Sequence, residues 1–118
     1  EYSLEANAID NVTMVRMSSD EISDAYTGGR EYRRMDGVDL ASYHFTTLFL
    51  DPPRSGLDAG TLQLASGFEN ILYISCNPLT LQANVAALQA THRIAEAAVF
   101  DQFPYTHHLE CGLLLTRR

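Results

Sequence analysis

Two short β-favouring runs, Thr46–Leu50 and Ile71–Ser75, stop abruptly at proline-bearing turns, and each is followed by a helix signal. No other feature of the chain constrains its fold as much. The first run ends at Asp51-Pro52-Pro53, and Asp58 stands where it can cap a helix over 59–68. The second ends at Cys76-Asn77-Pro78, with Pro78 suited to the first turn of a helix running to about Gln89. Continuous apolar strands belong to parallel sheets buried on both faces, whereas one-sided strands alternate. With a further strand over Ile94–Phe100, the order strand–helix–strand–helix–strand predicts an α/β fold with parallel strands. A last strand over Leu109–Thr116 is joined to it only by the polar and aromatic stretch 101–108. A parallel crossover needs a dozen or more residues, so this terminal pair is predicted antiparallel.

Upstream, residues 1–8 have helix-forming content, and Val12–Met17 alternates as a strand does. Ser18 with Glu21 forms a capping-box pattern, predicting a helix to about Tyr26 that stops at Gly28-Gly29. Residues 28–43 read as a polar, arginine-rich excursion. The chain opens at Glu1 in a helix-like stretch without a methionine, which predicts a C-terminal piece of a longer protein.

The 118 residues carry 15 acids and 8 cations, all of them arginine, for a net charge of −7. Such a chain is a poor non-specific binder of nucleic acid or anionic membrane, although a localised arginine contact remains compatible with it. No apolar run approaches the roughly 20 residues of a membrane helix, and no basic-then-apolar leader is visible. No membrane or protein partner is expected. Two cysteines cannot build a secreted-type disulfide scaffold, so a reduced, cytoplasmic setting is expected.

In open α/β sheets ligands bind beyond the carboxyl ends of the strands, where Asp51 and Cys76 both fall. Asp51 can accept hydrogen bonds from a nucleoside or base, or simply close a turn. Cys76 can act as a thiolate nucleophile, or lie inert as a small buried hydrophobe. His107, His108, Glu110 and Cys111 are all zinc-ligand types. Adjacent strand residues point to opposite faces, however, and neither CxxC nor HExxH accompanies them, so no metal is expected. A carboxylate at the start of the last strand, Glu110, suits a general base better. Cys111 falls on the other face with Leu113 and Leu115 and reads as core.

Three segments carry a resemblance: FLDPPRSGLD at 49–58, ILYISCNPLTL at 71–81 and FDQFPYTHHLECGLLL at 100–115. Together they resemble the TrmA-type tRNA (uracil-5-)-methyltransferases, within the wider RNA 5-methyluridine methyltransferase family. NAIDNVTMVRMSSDEI at 7–22 and REYRRMDGVDLASY at 30–43 extend the likeness over essentially the whole chain. QFPYTHHLECG at 102–112 looks more like the tRNA branch than the ribosomal-RNA one.

The resemblance implies a class I, Rossmann-like fold, with S-adenosyl-L-methionine as methyl donor and the T-loop uridine in the T-arm of tRNA as target. It maps the nucleophile to Cys76, the proton acceptor to Glu110 and a cofactor-site aspartate to Asp51. The chemistry asks for these residue types: a thiolate to add at uracil C6, and a carboxylate to remove the C5 proton afterwards. A thiol and a base would then flank a flipped-out uridine. Arg54 could hold a uracil carbonyl or a phosphate, or be a solvated loop arginine. Phe103 or Tyr105 could stack on a displaced base, though core packing is the more ordinary fate of such rings.

The family's Gly-rich cofactor loop and its N-terminal RNA-binding parts are absent from these residues. The expectation is therefore that 1–118 is the C-terminal portion of a single catalytic domain, inactive alone, with an exposed sheet edge beside Thr46–Leu50. The competing readings are a ribosomal-RNA uracil-5 methyltransferase and a non-catalytic tRNA-binding or folding module.

Overall fold

A computed structural model describes residues 2–118 as two compact units, the first ending at Ser42 and the second running from Tyr43 to Arg118.

In the first unit, a short helix α1 (Tyr2–Ala6) precedes α2 (Ser19–Tyr26). The capping box is formed at α2: the Ser18 hydroxyl accepts from the Glu21 N–H at 3.2 Å, and the Ser18 N–H donates to Glu21 Oε2 at 3.0 Å. That backbone N–H, aided by the Arg34 guanidinium 3.0 Å away, holds the Glu21 carboxyl below its usual range. Gly28, at φ +77°, ends the helix in the left-handed conformation that glycine adopts without steric cost. The excursion beyond holds two single 3₁₀ turns, Arg33–Met35 and Leu40–Ser42.

The strand expected over Val12–Met17 is not formed. Among the described residues the sheet has four strands, and this segment is not one of them. β-propensity expresses packing against a neighbouring strand and burial of one face. Here Val12 and Met14 are 49% and 60% exposed, so the alternation has no ladder to join.

The second unit is built on β1 (Thr47–Leu50), α3 (Ala59–Ala65), β2 (Asn70–Ser75), α4 (Pro78–Leu88), β3 (His92–Phe100) and β4 (Glu110–Arg117). Each boundary agrees with the sequence expectation to within three residues. Asp58 caps α3, accepting from the Thr61 N–H and hydroxyl, both at 2.8 Å.

The sheet order is β1-β2-β4-β3. β1 and β2 are parallel, and β4 is antiparallel to both β2 and β3. The fold is thus α/β with a mixed sheet, and the terminal pair is antiparallel as expected. The position of β4 was not expected: it returns between β2 and β3, filling the slot the β2–α4–β3 crossover leaves open. β1 stands at the sheet's edge.

One face of the sheet packs on α3 and α4. Ile71 and Tyr73 of β2 and Leu115 of β4 are buried against Ala65, Val85 and Leu88, with Cys111 in the same cluster. On the opposite face Phe49, Leu72 and Leu114 lie side by side in register, Phe49 61% exposed. The chain's last residues tie the sheet to the helix ends. Arg117 donates twice to the Ser66 carbonyl beyond α3, and Arg118 Nε donates to the Gln89 carbonyl beyond α4. Guanidinium groups thereby satisfy carbonyls that a helix C-terminus leaves orphaned.

Candidate active site

Four strand ends lie on one side of the sheet: β1 finishes at Leu50, β2 at Ser75 and β3 at Phe100, and the reversed β4 begins at Glu110. In the β2–β4 ladder Ser75 pairs with Cys111. Cys76 follows Ser75 where the chain bends out of β2, and Glu110 precedes Cys111 at the start of β4, so both flank the last pair of that ladder. Cys76 is a free, half-buried thiol, and Glu110 is half-buried.

The backbone at Cys76 is held from both sides. The Ser75 hydroxyl accepts from the Asn77 N–H and donates to the Asn77 carbonyl, each at 3.1 Å. Asn77 then caps α4, its Oδ1 accepting from the Leu79 N–H at 3.1 Å, with Pro78 in the first turn. The residues flanking the thiol are therefore fixed by the start of a helix rather than left to a mobile loop.

Asp51 follows β1 directly and is exposed. Since Leu50 pairs with Tyr73, Asp51 stands on the strand next to Cys76's own, at the same end. Arg54 reaches across to the other loop, Nη1 lying 3.4 Å from His108 Nδ1. Phe103 meets the His108 ring edge-on at 6.2 Å.

Core packing, the ordinary expectation for Phe103 and Tyr105, does not occur. Phe103 is half exposed and Tyr105 wholly so, with Tyr105 at φ +68°. The 101–108 connection runs beyond the strand ends, and every one of its residues is exposed. Cys111 is buried, as its place in the strand alternation required.

The sequence did not reveal what holds the Asp51–Leu57 loop. The Arg54 carbonyl accepts from Asn77 Nδ2 at 2.9 Å and from the Thr80 hydroxyl at 3.2 Å. The Leu57 N–H donates to Asn84 Oδ1 at 2.9 Å, and Asn84 Nδ2 donates to the Leu57 carbonyl at 3.4 Å. The Tyr73 hydroxyl donates to the same Asn84 Oδ1 at 2.7 Å. Gly56 makes this approach possible. At φ +78°, a Cβ there would lie 2.6 Å from Asn84 Oδ1. The available signal was Asn84 itself, a polar residue on the stripe that Leu81, Val85 and Leu88 bury. A buried amide in such a stripe needs partners.

Burial pushes the Tyr73 phenol up to about 12 from 10.0. With the folded value raised, the stability conferred by the neutral phenol is complete below pH 10 and is lost as pH rises towards about 12. In that window the unfolded chain binds fewer protons, so the slope is negative, at most about 1.4 kcal/mol per pH unit. Tyr73→Phe should cost about 1 kcal/mol near neutrality. Urea denaturation between pH 9 and 12 should show a shallower decline for the variant than for the wild type. Equal slopes would contradict the assignment.

A family model described as tRNA (Uracil-5-)-methyltransferase matches residues 1–118. Among curated proteins, the chain is 75% identical over 117 residues to a tRNA/tmRNA (uracil-C(5))-methyltransferase of Aromatoleum aromaticum, covering 99% of this chain and 32% of the relative. It is 71% identical over 116 residues to the protein of the same name from Azoarcus sp., covering 98% of this chain and 32% of the relative. It thus spans about a third of the length of these curated relatives. Among solved structures it resembles the Pyrococcus abyssi tRNA (uracil-54, C5)-methyltransferase in complex with S-adenosyl-L-homocysteine, with a TM-score of 0.72 and 29% identity, covering 98% of this chain and 24% of the other.

Proposed function

The chain belongs to the tRNA (uracil-5-)-methyltransferase family, and from that membership we propose that in the complete protein it carries the nucleophile and the base for methylating C5 of a tRNA uracil. The observation that supports this reading is the β2–β4 ladder, whose last pair, Ser75 and Cys111, adjoins a free thiol on one strand and a carboxylate on the other at the ligand-binding end of the sheet.

The chemistry follows from those two groups. Uracil C5 is a weak nucleophile. The Cys76 thiolate adds to C6, pushing the ring electrons onto the C4 carbonyl as an enolate. S-adenosyl-L-methionine, when bound, would supply a methyl group on a sulfonium; C5 of the enolate would take it as the methyl–sulfur bond breaks and the neutral thioether S-adenosyl-L-homocysteine leaves. The adduct now has a methyl group and a proton on C5. Glu110 takes that proton, the C5–C6 double bond re-forms, and the Cys76 sulfur leaves as thiolate. The sulfonium is itself the electrophile, so no step calls for a metal.

Asp51 fits a place in the cofactor site: an exposed carboxylate at a parallel strand's carboxyl end, able to accept hydrogen bonds from a nucleoside. Arg54, Phe103 and Tyr105 fit the RNA side, since all three are exposed beside the strand ends. The target in this reading is the T-arm uridine of tRNA. The names of the curated relatives, which print tRNA and tmRNA, favour it over a ribosomal RNA. The chain would be the C-terminal portion of the catalytic domain, in a cytoplasm that keeps Cys76 reduced. Among the described residues no helix is long and apolar enough to cross a membrane.

The test is a denaturing gel of full-length protein incubated with S-adenosyl-L-methionine and tRNA containing 5-fluorouracil. Fluorine at C5 cannot be removed as a proton, so the protein–RNA adduct should persist as a slow-migrating band. Its absence would sink the covalent reading and favour a binding module.

A further inference from the structure

The loop from Asp51 to Leu57 carries two of the residues assigned above, yet its backbone is gripped from α4 rather than from the sheet. We propose that Asn84 is a positioning residue, which pins this loop to α4 so that Asp51 and Arg54 stand fixed relative to Cys76. The proposal rests on the functional reading above and adds to it a residue that touches neither substrate nor thiol.

Asn84 is only 8% exposed and lies on the core-facing stripe of α4. A leucine there would bury apolar surface without a desolvation penalty, whereas an amide must find hydrogen bonds. Asn84 finds them in the loop: its oxygen takes the Leu57 N–H and its nitrogen reaches the Leu57 carbonyl, as a neighbouring strand would. The oxygen's second bond, from the Tyr73 hydroxyl, completes the amide's pairing without touching the loop. Asn77 and Thr80 add their hold on the Arg54 carbonyl, and the positions 77, 80 and 84 share one face of the helix. α4 begins directly after Cys76-Asn77, so one rigid element carries both the thiol's backbone and the loop's anchor. Gly56 completes the fit by leaving the space that a Cβ would take from Asn84 Oδ1.

The experiment uses full-length protein bearing Asn84→Ala, Gly56→Ala or Tyr73→Phe, each read in two ways. Hydrogen exchange at the Leu57 amide reports the clamp, and the rate of adduct formation with 5-fluorouracil tRNA reports its consequence. Asn84→Ala should speed Leu57 exchange about 10-fold through the lost hydrogen bond. It should slow adduct formation roughly 100-fold, the scale of a 1 Å misplacement. Gly56→Ala should act in the same direction from the loop side. The double variant should be no slower than the slower single one, because both lesions break one contact. Tyr73→Phe loses stability but keeps both Leu57 bonds, so its adduct rate should stay within about two-fold of wild type.

Wild-type adduct rates in both Asn84→Ala and Gly56→Ala, despite fast Leu57 exchange, would overturn the proposal. So would a Tyr73→Phe rate as slow as that of Asn84→Ala, which would make Asn84 a matter of stability alone. Should Asn84→Ala not fold, Gly56→Ala carries the test. Failure of the functional reading itself would show separately, as the absence of any adduct with the unaltered protein.

Discussion

Serine in place of Cys76 is expected to abolish methyl transfer by the full-length protein, lowering the rate by at least roughly 10³-fold, while tRNA binding persists. A hydroxyl is far less acidic than a thiol, and little alkoxide exists at neutral pH to add to C6. Without that addition C5 never gains enolate character. The change is small in volume, and the backbone at this position is held by Ser75 and Asn77, neither of which uses the thiol. Folding and RNA affinity should therefore survive. Incorporation of a labelled methyl group, read beside filter binding of tRNA, separates the two effects. Full methylation by Cys76→Ser would end the covalent mechanism, and loss of binding together with activity would show that Cys76 is structural.

Glu110→Gln should produce a different failure. Addition and methyl transfer precede the step that needs the base, so the first half of the reaction should proceed. The amide keeps the shape of the side chain at the start of β4 but cannot take the C5 proton. The protein–RNA adduct should then accumulate with ordinary tRNA, with no fluorine in the base, and multiple turnover should fall by roughly 10²–10⁴-fold. A denaturing gel with natural tRNA is the decisive measurement. Normal turnover with no trapped band would remove Glu110 from the base role.

Cys76→Ser is expected to block the reaction before the adduct forms, and Glu110→Gln after it. Slow adduct formation in Asn84→Ala would differ from both, because the chemistry would be intact and only the geometry of the loop disturbed.

The second unit was legible almost throughout. Its strands are short apolar runs, its turns carry proline, and its helices start at Asp58 and Asn77-Pro78, where capping physics places them. Local signals of that kind act over a few residues and need no knowledge of the rest of the chain. Val12–Met17 shows the limit of the method. Alternation says that a segment is able to pair, whereas a strand exists only where a neighbour supplies the other half of the ladder. Phe103 and Tyr105 show a second limit. Aromatic character predicts burial, but burial requires a layer above the residue, and beyond the strand ends of this unit there is none.

The sequence by itself determined which residue types were available for chemistry, and that Cys76 closes a strand and opens a helix. It also determined that β3 and β4 are antiparallel, since a short connection cannot make a parallel crossover. That β4 returns beside β2 came only from the assembled fold, and this insertion is what brings the start of β4, with Glu110, to the end of β2 that Cys76 follows. The assembled fold alone decided that Asn84 meets Leu57 and Tyr73. The physical reason is the same in both cases. Local propensity arises from a residue's near neighbours in the chain. A facing pair in a ladder, or an amide gripping a distant loop, arises from which surfaces the whole fold buries together, and no spacing along the sequence encodes that distance.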